Sequence, residues 1–107
     1  MITFDDWQKI ELRTAEVVSA TEHENADRLL VVRVRFGEEE RQLVAGIRGH
    51  YEAEALVGKT VIVLANLEPA VIRGVESQGM ILAVKDGEKV VILGVDGGST
   101  APGLRVT

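Results

Sequence analysis

Apolar and polar positions alternate most regularly from Leu29 to Phe36. Val32, Val34 and Phe36 share one face there and Arg33 and Arg35 the other, as expected of a half-buried strand. Upstream, Leu12 to Ala20 alternates loosely around Val17 and Val18 and reads as a first strand, with turn chemistry at His23 to Asp27. Gly37-Glu38-Glu39-Glu40 reads as a solvated hairpin tip from which Gln42 to Ile47 returns. The unbroken apolar run Thr60 to Ala65 is expected to be a buried strand. Gly79 to Val84 and Val90 to Val95 are expected to be two more, turning at Asp86-Gly87. Helical signals are few. Thr3 and Asp6 have capping spacing for a short helix with Phe4 and Trp7 on one face, and Tyr51 to Leu56 reads as a second short helix closed by Gly58. Gly97 to Gly103 reads as a loop before a last segment, Leu104 to Val106.

Many short strands, one helix after the third and turns at regular intervals predict a small closed β-barrel, a mainly all-β fold. The five-stranded Greek-key OB-fold carries a helix at that point. At 107 residues the chain is expected to be one domain, 1–107. With 46% hydrophobic residues it has the composition of a folded domain. It contains no cysteine, which excludes disulfides, thiol catalysis and cysteine zinc sites. No apolar stretch approaches bilayer length, and Asp5-Asp6 stand where a secretory signal would be basic, so a soluble cytoplasmic protein is expected.

The net charge of −5 argues at first against a polyanionic partner, but its distribution changes that reading. Residues 1–27 hold two cations against seven acids, whereas residues 28–48 hold five arginines against three glutamates. A small arginine face on an acidic body suits salt-sensitive phosphate contact. Catalysis has no visible basis. His23 and His50 lack partners at metal-ligand spacing, Asp5-Asp6 read as first-turn helix acids, and Pro102-Gly103 forbids the helix that a phosphate loop at Gly97-Gly98-Ser99-Thr100 would need to open. No metal or cofactor is expected. Aromatics make up 4%, too few for a stacking platform, which favours folded RNA read by shape.

Two polar interruptions carry the candidate chemistry, Asn25-Ala26-Asp27-Arg28-Leu29-Leu30 and the run from Asn66 through Gly74-Val75-Glu76-Ser77-Gln78-Gly79-Met80. Arg28 suits a phosphate or a base, or else an ion pair with Asp27 or Glu24. Asn25 suits RNA or an Asx-turn, and Arg33 and Arg35 suit either a tracked backbone or a solvated sheet face. Ser77 and Gln78 flank a glycine, where close approach to a ligand is expected. Met80 suits a base or sugar contact or, by periodicity, the core.

Taken with Arg41-Gln42-Leu43-Val44-Ala45-Gly46-Ile47 and Val63 through Ala83, the block His23 to Val31 resembles the tRNA-binding OB domain of methionyl-tRNA synthetases. It is similar also to stand-alone structure-specific tRNA-binding proteins and to endothelial-monocyte-activating polypeptide. The resemblance runs from about Phe4 to Val106. It implies non-catalytic, shape-selective tRNA binding by Asn25, Arg28, Arg33, Arg35, Asn66, Arg73, Ser77, Gln78 and Met80. It further implies a homodimer built from the N-terminal helix and C-terminal extension, and a methionyl-tRNA synthetase as partner, in cis or as a β-subunit in trans. The family often has Lys where this chain has Glu68 and Val71, which implies weaker phosphate attraction, partly offset by Arg73. Two rivals share the scaffold: a dimeric chaperone-like protein binding unfolded polypeptides, and an adaptor that only docks onto a synthetase.

Overall fold

The computed structural model describes residues 1–107. Thr3 caps α1 (Phe4–Gln8): its hydroxyl accepts from Asp6 N and Asp6 answers to Thr3 N, a reciprocal box that satisfies two otherwise orphaned amides. The strands are β1 (Leu12–Glu22), β2 (Leu30–Phe36), β3 (Glu39–Ala45), β4 (Thr60–Leu64), β5 (Ala70–Ile72), β6 (Val75–Ser77), β7 (Met80–Ile81), β8 (Ala83–Asp86) and β9 (Lys89–Ile92). A single-turn α2 (Ala53–Leu56) lies between β3 and β4, with Gly58 at φ +88 just past it.

The main sheet has the order β3-β2-β1-β4-β7. Long β1 serves both halves: Glu16 to Glu22 pairs with β2, and Leu12 to Glu16 pairs with β4. A bulge between Val17 and Ser19 leaves Val18 exposed and bends the strand, which lets the sheet curl. The barrel is then closed by bonds from β3 to the end of β6 and the residue after it. Gln78 N donates to Gln42 O at 2.8 Å, Gln42 N to Gln78 Oε1 at 3.1 Å, and Val44 N to Ser77 Oγ at 2.9 Å. Arg41 adds a bond to Ala65 O. Gly79 admits this approach, since a Cβ there would lie 2.9 Å from the Leu64 carbonyl oxygen. Inside sit Ala15, Val17, Leu30, Val32, Val34, Leu43, Ile47, Leu56, Val61, Val63 and Ile81. This is the inward face of the predicted alternation, and each buried Val or Leu contributes about 1.5–3 kcal/mol.

The expected OB barrel, its helix after the third strand and its two terminal additions are all present. Four local features differ from the expectation. Glu39 and Glu40 belong to β3, because Phe36 pairs with Glu39 and leaves only Gly37-Glu38 as the turn. The run Gly79 to Val84 divides at Leu82, with β7 pairing to β4 and β8 to β9. The strand expected over Val90 to Val95 is Lys89–Ile92. Residues 70–77 fold as an unforeseen hairpin of β5 and β6 with Arg73-Gly74 at its tip. The tail runs along the start of β1: Gly103 N bonds Thr14 O, Thr14 N bonds Leu104 O and Val106 N bonds Leu12 O. Arg105 Nη2 reaches Gln8 O at 2.7 Å, which sets α1 beside the tail.

Candidate nucleic-acid interface

Two loops meet at one end of the barrel: residues 23–29 between β1 and β2, and residues 65–79 after β4, which carry the β5–β6 hairpin. In OB barrels, the loops joining the first two and the last two strands are where oligonucleotides are held. His23, 2% exposed, joins the two loops. Its Nδ1 accepts Asn25 N at 3.0 Å, which assigns the proton to Nε2, and Nε2–H then donates to Ile72 O at 3.2 Å. From the hairpin tip, Arg73 Nη2 donates to Asn25 O at 3.0 Å. Arg48 braces the other side, donating to Glu22 Oε2 at 3.1 Å and to Ala26 O at 3.2 Å. The loop backbone is therefore fixed on three sides before any ligand arrives.

This fixed loop leaves its two recognition candidates free. The Asn25 side chain makes no hydrogen bond within the chain, so it closes no Asx-turn, and the Arg28 guanidinium has neither an ion pair nor a hydrogen bond. Six of the twelve cations are ion-paired: Lys9, Arg13, Arg33, Arg35, Arg41 and Arg48. Of the six that are not, Arg28, Arg73 and Lys85 converge. A groove of ≈ 610 Å³ is lined by Arg28, Arg48, His50, Lys85 and Glu88, and Arg73 flanks Arg28 on its other side. The β8–β9 hairpin that brings Lys85 is pinned by Tyr51, whose hydroxyl accepts Ile92 N at 3.1 Å. Arg48, His50 and Lys85 were not among the expected site residues. Arg48 carried a weak signal as the end of the arginine-rich stretch, whereas Lys85 arrives only through the hairpin's fold.

A second groove of ≈ 350 Å³ adjoins the first through Gly46 and Val90. Ten of its fourteen lining residues are hydrophobic, among them Leu67, Ile72 and Met80, so it is an apolar trough beside a cationic one. Met80 is 44% exposed and belongs to this trough rather than to the core.

The remaining expected contacts are engaged within the fold. Arg33 pairs with Glu40 at 3.1 Å and Arg35 with Glu16, both on the outer sheet face, where exposed pairs of this kind hold little energy. Asn66 accepts Glu11 N and donates to Lys9 O, tying the end of α1 to β4. Gln78 stitches the barrel seam. Ser77 is 4% exposed, and its hydroxyl accepts Val44 N and donates to Gly79 O. The Ser77 hydroxyl is thus engaged with β3 and Gly79, at the edge of the apolar trough that Ser77 helps to line. Ser77→Ala is expected to strand the buried Val44 N–H at about 1–3 kcal/mol. Thermal melts should show the loss, and tRNA affinity of the folded fraction should stay unchanged.

A family model described as "Putative tRNA binding domain" matches residues 12–103. The chain belongs to the tRNA-binding domain family. Other members give the same placement. The methionine–tRNA ligase of Thermococcus kodakarensis is 51% identical over 92 residues, 86% of this chain and 12% of that protein. That of Thermotoga maritima is 49% identical over 106 residues, 99% of this chain and 17% of that protein. The chain therefore spans less than a fifth of the length of these synthetases. Among solved structures, a MetRS-related protein from Pyrococcus horikoshii aligns with TM-score 0.91 at 32% identity, over 100% of this chain and 98% of that one. The CsaA chaperone protein of Picrophilus torridus aligns with TM-score 0.90 at 26% identity, over 100% of both chains. As a tRNA-binding domain, the chain has three of its unpaired cations, Arg28, Arg73 and Lys85, and its apolar trough at one loop-built end. No helix is long and apolar enough to cross a membrane.

Proposed function

We propose that this single domain, residues 1–107, is a non-catalytic tRNA-binding unit that supplies affinity to a methionyl-tRNA synthetase, in cis as a C-terminal domain or in trans as a cytoplasmic β-subunit. The supporting observation is the convergence of Arg28, Arg73 and Lys85, none of them ion-paired, on a loop already braced by His23 and Arg48. Asn25 and Met80 complete the contact surface, while Ser77, Gln78 and Asn66 hold its frame. Holding tRNA near a synthetase raises its effective concentration there without touching the chemistry. Homodimerisation fits the exposed apolar side chains of the N-terminal segment and the tail, Ile2, Phe4 and Leu104 at 66%, 71% and 52% exposed.

A gel-shift titration with total tRNA at low salt is expected to show binding at micromolar protein, weakening steeply as salt rises. Absence of binding there would overturn the reading. Sedimentation with and without tRNA tests the dimer. A second reading follows from the likeness to the CsaA chaperone protein. The apolar trough would then hold unfolded polypeptide, and such a polypeptide should displace tRNA and bind more tightly. Capture of a synthetase from ribonuclease-treated lysate, without tRNA binding, would instead mark an adaptor.

A further inference from the structure

Within the trough, Glu68 is the one acidic lining residue, and its carboxylate makes no ion pair or hydrogen bond with the chain. Beside a polyanion such a group is repelled unless it accepts hydrogen bonds. We infer that the trough takes one unstacked guanine of a bound tRNA, read by the Glu68 carboxylate, while the flanking phosphates lie on Arg28 and Lys85. The inference rests on the tRNA reading and adds the nucleotide that the site recognises.

Three observations carry it. The apolar and cationic grooves share Gly46 and Val90, so an apolar face and a charge can be held side by side, which is the makeup of a single nucleotide. Met80 and Leu67, 44% and 45% exposed, offer flexible aliphatic surface to the faces of a base, in a trough with no aromatic side chain. Guanine presents N1–H and N2–H in parallel, matching two carboxylate oxygens with charge-assisted bonds. On their pairing edges the other three bases set an acceptor beside each donor, and a carboxylate repels that acceptor. An apolar peptide side chain would fill the trough equally well but would leave the neighbouring cations unused.

The sign of one substitution tests this. Glu68→Gln removes a negative charge beside the RNA, so a merely solvated Glu68 predicts tighter tRNA binding. A guanine-reading Glu68 predicts weakening of roughly tenfold. Tightening, or no change, would overturn the inference and leave the tRNA reading standing; failure of the unsubstituted protein to bind tRNA would remove that reading itself. A second measurement uses amide spectra of the full chain titrated with GMP, AMP, CMP, UMP and inorganic phosphate at millimolar concentration. GMP is expected to shift Gly79, Ile81 and Ala83, the other four only the Arg28 and Lys85 groove, and Glu68→Gln to erase the difference. Equal responses to all nucleotides, or a trough filled by an unfolded peptide and not by GMP, would overturn it.

Discussion

Replacing Arg28 and Lys85 together by alanine is expected to weaken tRNA binding roughly fiftyfold at about 0.1 M salt and to leave the melting temperature nearly unchanged. Each neutralised phosphate contributes about 0.7–0.9 to the slope of log K against log salt, so two lost contacts remove about 1.4 to 1.8 log units there. The size of the effect depends on neither cation being committed elsewhere, and neither forms an ion pair. Stability should be untouched because both side chains are exposed, and such substitutions stay within about 0.5 kcal/mol. Filter binding across a salt series reads affinity and slope together. A slope reduced by less than about half a unit would mean that these cations meet no phosphate. Arg35→Ala is the matched control, since its charge is already answered by Glu16.

Gly79→Ala should have the opposite profile, unfolding the barrel rather than emptying the site. Gly79 has φ +140, and a Cβ added there would meet the Leu64 carbonyl oxygen at 2.9 Å and Leu43 Cδ2 at 3.2 Å. Backbone cannot yield as a flexible side chain does, and the same segment holds the bonds that join β3 to Ser77 and Gln78. Strain and overpacking together are expected to cost about 3 kcal/mol or more. In a domain of this size that is a fall of more than about 10 °C in Tm. Gly87→Ala is the comparison: its φ of +63 is also unfavourable, but nothing lies within 4 Å of a Cβ there. Comparable melts for the two variants would show that the seam at Gly79 is not tightly packed.

The barrel was legible where one physical signal dominated. Alternation in β2 gave its buried face, Thr3 and Asp6 gave the first helix, and the apolar run at β4 gave a strand buried beneath its neighbours. The β5–β6 hairpin escaped because its strands are three residues long and its tip is Arg73-Gly74, with φ +53 and +87. Arginine rarely adopts that conformation, so the usual Asn-Gly signal was missing. The placement of the candidate site residues was half legible for a related reason. Polar residues in a loop announce that hydrogen bonds are needed there, but not whether ligand or backbone satisfies them. Asn25 and Arg28 face solvent, whereas Ser77, Gln78 and Asn66 are spent on closing the fold. Register decided Arg33 and Arg35: Arg35 stands opposite Glu40 on β3 and Glu16 on β1, so the acids that answer the two cations come from neighbouring strands. Lys85 joined the site only because Tyr51 and His50 hold the last hairpin against the loop after β3.

The most direct measurement is an amide-resolved spectrum of the labelled protein with and without saturating tRNA at low salt. Signals from Asn25, Arg28, Arg73, Met80 and Lys85 should broaden or shift as one contiguous end of the barrel, while Arg33 and Arg35 on the outer face of β2 stay in place. Perturbation centred on that outer face, with the Arg28 end unmoved, would contradict the location assigned to tRNA.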